Sequence, residues 1–147
     1  MSDSKSQVNA DSLHDELTLL VKLHRELVAD YEAGARRLER AAYQKVFGDF
    51  VSAHNRSIET LGEILKRFDG DVETATASSA EAQSNDAAVL RAIQSKEIHL
   101  KQEYVRNLGL LSGTAGLETV LKVNKGEATK RLGWLEGELN MLDHTKG

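Results

Sequence analysis

Residues 13–38 read LHDELTLLVKLHRELVADYEAGARRL. Within this stretch Leu13, Leu17, Leu20, Leu27, Tyr31, Ala35 and Leu38 recur at intervals of three, four or seven, which stacks them along one side of an α-helix. Ser12 and Asp15 just ahead of them form a capping-box pattern for its start. The stretch therefore predicts a long amphipathic first helix, preceded by a polar, unpatterned segment 1–10 expected to be a flexible tail.

Working outward, a second stripe runs through Phe47, Val51, Ile58, Leu61, Leu65 and Phe68, with Gly70 placed to end it in the left-handed conformation. The boundary between the first two helices is placed at 41–45. That segment holds neither Gly nor Pro, so a continuous helix also fits it. Asn85 and Asp86 open a third helix with Val89, Ile93, Leu100, Tyr104, Leu108 and Leu111 inward, and 112–114 (SGT) make a tight turn. The fourth shows Leu117, Leu121, Ala128, Leu132, Leu135, Leu139 and Leu142, with Trp134 on its flank.

Between the second and third helices, 71–84 (DVETATASSAEAQS) is small and polar with no apolar period, which is the composition of a connection. Its fourteen residues, at about 3.3 Å each, reach roughly 45 Å, whereas a helix of about 25 residues is about 38 Å long. Such a segment can cross the whole length of a bundle, as in single-crossover four-helix folds. The expectation is an all-α, antiparallel four-helix bundle over 11–143 with a long crossover at 71–84.

Composition agrees with helix and narrows function. The 147 residues include no Pro, 40% are hydrophobic and 29% are charged, a profile that favours helices over strands. The absence of Cys excludes disulfides, thiolate metal sites and a cysteine nucleophile. Net charge is −4, with acidic and basic residues interleaved and no basic stripe, so no nucleic-acid partner is expected. With no apolar run of the length a signal core or membrane span requires, the chain reads as cytoplasmic, without a membrane partner.

The informative positions are those where a stripe calls for an apolar residue and a titratable one stands instead. His24 lies between Leu20 and Leu27, His54 between Val51 and Ile58, Glu97 between Ile93 and Leu100, and Glu127 beside Ala128. His24 precedes Tyr31 by seven residues as Glu97 precedes Tyr104, and His54 follows His24 by thirty as Glu127 follows Glu97. The two halves superpose at an offset of 73, the trace a helix-pair duplication leaves. A His on such a stripe fits either a hydrogen bond to a buried carboxylate or Tyr, or a metal ion held by His24, His54, Glu97 and Glu127.

The stretches 23–35 (LHRELVADYEAGA) and 50–71 (FVSAHNRSIETLGEILKRFDGD) resemble the bacterial four-helix-bundle branch of the ferritin-like, rubrerythrin-related superfamily. The resemblance implies a ferritin-like fold. In active di-iron members it implies a Glu on helices one and three and a Glu-x-x-His on helices two and four. At the matching places stand His24, His54 with Ser57, Glu97, and Glu127 with Lys130, so two carboxylates and two imidazoles replace four and two.

The reading that follows is a non-enzymatic ferritin-like bundle with a structural, stress-related or interaction role and a remodelled buried polar site, the stress association coming from the resemblance. The alternative is a metal-binding or residual oxidoreductase protein that holds iron, manganese or zinc on the same four residues. A third reading rests on 53–57 (AHNRS), which partly matches the phosphorylatable histidine of phosphotransfer bundles and requires His54 to face solvent. His14, His99 and His144 lie off the stripes and are expected on the surface. Leu19, Leu90, Leu110 and Trp134, surplus to the stripes, point to a homo-oligomer, most simply a dimer.

Overall fold

The computed structural model describes residues 2–38, 40–66, 85–110 and 115–145, with side chains described from 14 to 142 except residue 115. The described residues form four helices: α1 (Ser2–Arg37), α2 (Ala41–Lys66), α3 (Asp86–Leu110) and α4 (Ala115–Thr145). The side-chain contacts order them. His24 and Tyr31 of α1 meet His54 and Phe47 of α2, so residue numbers rise along one helix as they fall along the other. The same reversal holds for α1 and α3, where His24 meets Tyr104 and Tyr31 meets Glu97. It holds for α3 with α4 through Tyr104–Asn124 and Glu97–Arg131, and for α2 with α4 through Tyr43–Glu138 and Phe50–Trp134.

This is an antiparallel four-helix bundle in which α2 and α3 run parallel across the diagonal. Lys66 and Asp86 therefore lie at opposite ends of it, the arrangement of a single-crossover bundle. The expected connection 71–84, Gly70 and the turn at 112–114 lie outside the described residues.

Two boundaries differ from the sequence reading. Helix α1 already includes Ser2, so the segment expected as a tail is helical from there, and Ser12 and Asp15 lie inside α1 instead of capping it. Nothing in 2–12 forbids this, because with no Gly or Pro there an existing helix extends at low cost. The break between α1 and α2 falls at 38–40, ahead of the expected 41–45, which belongs to α2. Leu38 N still donates to Gly34 O (2.8 Å), closing the last turn of α1. The start of α3 is as expected: the Asn85 side chain accepts from Ala88 N (2.8 Å), the N-cap bond that satisfies an otherwise unpaired amide.

The core contains Leu17, Leu20, Leu27, Tyr31, Phe47, Leu61, Leu65, Leu90, Ile93, Leu100, Leu121 and Leu135. Of the adjacent helix pairs, α2 and α4 approach each other least closely, and large rings fill the space: Trp134 meets Tyr43, Phe47 and Phe50 edge-on at centroid distances of 5.5–6.1 Å. Leu90 is buried, and Leu19 and Trp134 pack against the core. Of the four residues expected to be surplus, only Leu110 is left exposed. No helix among the described residues is long and apolar enough to cross a membrane.

Candidate functional site

Midway along the bundle the apolar stripes give way to a polar layer. A spacing of seven residues is nearly two helical turns, so His24 and Tyr31, Glu97 and Tyr104, and Asn124 and Arg131 each project from one face of their helix. His54 completes the set from α2. All seven side chains are buried, His24, His54 and Glu97 at 0% exposure and Arg131 at 2%.

Glu97 is the point of convergence. Its Oε2 accepts from Tyr31 OH (2.6 Å), from His54 Nε2 (2.9 Å) and from Arg131 Nε (2.6 Å). The rest of the layer is fixed by proton counting. An ionised carboxylate only accepts, so His54 carries its proton on Nε2, and a neutral His54 then has a lone pair on Nδ1. His24 Nδ1, 2.7 Å away, must donate to it, which leaves His24 Nε2 to accept from Tyr104 OH at 2.5 Å. The Tyr104 oxygen accepts in turn from Asn124 Nδ2 (3.1 Å). One directed chain, Asn124 to Tyr104 to His24 to His54 to Glu97, pairs both nitrogens of each ring with both rings neutral.

Electrostatics agree with that assignment. Burial, then His54 and Arg131, hold the His24 ring well below the usual histidine range. Burial also lowers His54, and the nearby Glu97 charge only partly offsets it. Burial opposes ionisation of Glu97, but His54 and Arg131 outweigh it and keep the carboxyl below its ordinary value. Burial and the adjacent Glu97 raise the Tyr31 hydroxyl well above its own, so it remains a donor. Within this layer three buried side-chain atoms have no hydrogen-bond partner: Glu97 Oε1 and the Nη1 and Nη2 of Arg131.

Of the four residues singled out from sequence, His24, His54 and Glu97 meet. Glu127 is half-buried on α4, one turn before Arg131, and acts through its charge on His54 and Tyr104. The offset of 73 has a geometric counterpart, because Tyr31 bonds Glu97 as Tyr104 bonds His24. Arg131 and Asn124 were missed, since the fourth stripe was phased through Leu132, which is only half-buried. The steps Asn124, Ala128, Arg131, Leu135 carry the correct phase.

The phosphotransfer reading does not survive. His54 is fully buried with both ring nitrogens bonded, so no partner can deliver a phosphoryl group to it. His99 is exposed, His14 is partly exposed beside Asp15, and the side chain of His144 lies outside the described residues. A di-iron cluster requires several carboxylates free to bridge two cations. In this layer the one fully buried carboxylate is already compensated by a guanidinium, so the residues present do not fit such a cluster. Among the described residues no group of three or more His, Asp or Glu side chains is arranged to hold a metal ion.

No protein-family model matches the sequence, and no match is found among curated proteins. Solved structures do match. A dodecameric thioferritin, the bacterioferritin-related protein from Bacteroides fragilis, superposes with a TM-score of 0.83 at 16% identity over 93% of this chain and 89% of its own. A ferritin-like, diiron-carboxylate protein from Bacillus anthracis str. Ames gives 0.78 at 15% identity over 89% of this chain and 97% of its own. The chain thus has the ferritin-like four-helix fold.

Proposed function

We propose that the protein is a non-enzymatic ferritin-like bundle that works as a cytoplasmic homo-oligomer in a structural, stress-related or protein-interaction role, with its polar centre holding the fold together. The observation that carries this reading is the contact of Arg131 Nε with Glu97 Oε2 in the interior. A carboxylate whose reactive oxygen already receives three donors, one from a permanent cation, has little basicity left for a substrate proton. Hydrogen bonds among the layer's own side chains engage both rings, both tyrosines and Glu97 Oε2 without a bound ligand.

Two further observations support self-association. Among the described residues the exposed large apolar side chains, Ile98, Val105, Leu110, Val123 and Met141, all lie on α3 and α4. The similar thioferritin is dodecameric. Metal analysis of tag-free protein tests the central claim: sub-stoichiometric iron, manganese and zinc are expected. Stoichiometric metal that disappears in both His24→Ala and Glu97→Ala would establish the metal-binding alternative instead. Light scattering at micromolar concentration tests the assembly, and a monomeric mass would remove the oligomer from the proposal.

A further inference from the structure

Helix α4 holds two large apolar side chains in solvent, Val123 at 55% exposure and Met141 at 42%. Between them stand Lys130 and Trp134, so the intervals run seven, four and seven. At 3.6 residues per turn all four lie within about 40° of one another around the helix. The series is the same in both directions, with its midpoint at 132.

That symmetry is what an antiparallel pairing of identical helices requires, because a two-fold axis makes residue i of one copy meet j of the other while j meets i. With the axis at 132, Val123 lies opposite Met141 of the second copy and Lys130 opposite its Trp134, each contact occurring twice. The side chains suit these places. The exposed apolar pair leaves water together. Lys130 is exposed, and Trp134 is half-buried, packed on its inner side against Tyr43, Phe47 and Phe50, so its outward side is open to an ammonium group from the second copy.

Charge points to the same orientation. Over 122–131 α4 has Lys122, Lys125 and Lys130 outside the core against Glu127, with Arg131 buried and paired to Glu97; over 133–142 it has Glu136 and Glu138 and no Lys or Arg. An antiparallel copy lays each basic half along an acidic one, whereas a parallel copy would set like against like. The exposed apolar pair of α3 fails the same comparison. Placing Ile98 opposite Val105 of a second copy puts the axis between 101 and 102 and brings the two Lys101 side chains together beside it.

We propose that a second copy of this chain docks antiparallel on the outer face of α4, in a two-fold contact centred on residue 132 with Val123–Met141 and Lys130–Trp134 as its reciprocal pairs. The proposal rests on the self-association inferred above and names the surface that carries it.

The full-length chain has no Cys of its own, so introduced thiols report the contact directly. Positions 123 and 141 are about 27 Å apart along one helix, whereas a disulfide needs Cα atoms within about 7 Å. In the antiparallel pairing neither position meets its own counterpart. Under mild oxidation a mixture of Val123→Cys and Met141→Cys proteins should give a covalent heterodimer, and each variant alone should stay at background. Sedimentation equilibrium should find Val123→Glu and Met141→Lys each at no more than about half the wild-type mass, since the first meets the acidic half of the second copy and the second its basic half. The double variant Val123→Glu/Met141→Lys should recover the larger mass, and Ile98→Glu should keep it. Trp134, the single Trp, should shift its emission to longer wavelength as wild type is diluted and dissociates. A wild type that assembles while the cysteine mixture gives no heterodimer and both charge variants keep the wild-type mass overturns the inference and leaves self-association standing. Cross-linking by one cysteine variant alone in excess of the mixture also overturns it. A wild type that is monomeric at micromolar concentration overturns both.

Discussion

His24 and His54 face each other through Nδ1 atoms 2.7 Å apart, so a single proton lies between two buried rings. A proton added to His54 Nδ1 would set donor against donor at that contact, one added to His24 Nε2 would turn the Tyr104 hydroxyl away from it, and burial already disfavours either charged ring. Burial therefore favours the pair as two neutral imidazoles.

The first prediction is a loss of stability in mild acid. Unfolded, each His takes up a proton near its ordinary value of 6.5; folded, each does so only at lower pH. Below that value the unfolded chain binds more protons, so stability falls as pH falls, by at most about 1.4 kcal/mol per pH unit for each ring. Glu97, also lowered in the fold, adds a loss of the same sign once pH drops below its unfolded value of 4.5. Urea midpoints measured from about pH 7.5 to about pH 5.5 should decline, and a flat profile would refute the neutral pair.

Removing the acceptor at the centre should be costly. Glu97→Ala strands Arg131, His54 and Tyr31 together and is expected to destabilise by about 3–5 kcal/mol. Glu97→Gln keeps a carbonyl oxygen for those donors and should cost less. The exposed control Glu63→Ala should stay within about 0.5 kcal/mol. Chemical denaturation in the presence of chelator measures all three, and an unchanged midpoint for Glu97→Ala would contradict the buried layer.

Coupling between Glu97 and Arg131 should appear in a double-mutant cycle. Arg131→Met leaves a buried carboxylate with no counter-charge and should cost several kcal/mol, about 3–5. In the background of Glu97→Gln no charge remains to be stranded, so the same substitution should cost at least about 1 kcal/mol less. Additive effects would show that the two side chains do not interact.

Glycine substitutions should separate by position. A Cβ on Gly34 would come within 3.0 Å of Phe47 Cε2 and 3.2 Å of Val89 Cγ1, where α1 packs closely on α2 and α3. Gly34→Ala should therefore destabilise by about 1–3 kcal/mol. At Gly48 and Gly133 a Cβ meets nothing within 4 Å, and Ala there should stabilise by about 0.5–1 kcal/mol. Thermal midpoints of the three variants give the signs.

The polar layer was legible in sequence where it interrupted strong apolar periods. His24, His54 and Glu97 each stand between two core residues, so the interruption itself located them. Arg131 was hidden for two reasons. Its helix offers Leu132 beside it as an apparent core position, and the weaker periodicity of α4, with Gly126, Gly133 and Gly137 on it, left the phase open by one residue. Which side chain would meet Glu97 depends on how far apart α3 and α4 pack and on the reach of a guanidinium, neither of which a single stripe encodes. The break at 38–40 escaped for a different reason: no Gly or Pro marks it, and its position follows from where Leu38 and Tyr43 reach the core.

The offset of 73 residues relates two helical hairpins that share tyrosines but not charge: α1 and α2 bring two imidazoles to the layer, α3 and α4 an acid and its guanidinium. An α1–α2 hairpin facing its own copy would bring imidazoles together with neither the acid nor the guanidinium of the layer, and an α3–α4 hairpin facing its copy would bring two acids and two guanidinium groups together with no imidazole. The hydrogen-bond chain of the layer therefore closes only between unlike hairpins. The difference between the two matched halves thus works against an exchange of identical hairpins between neighbouring copies.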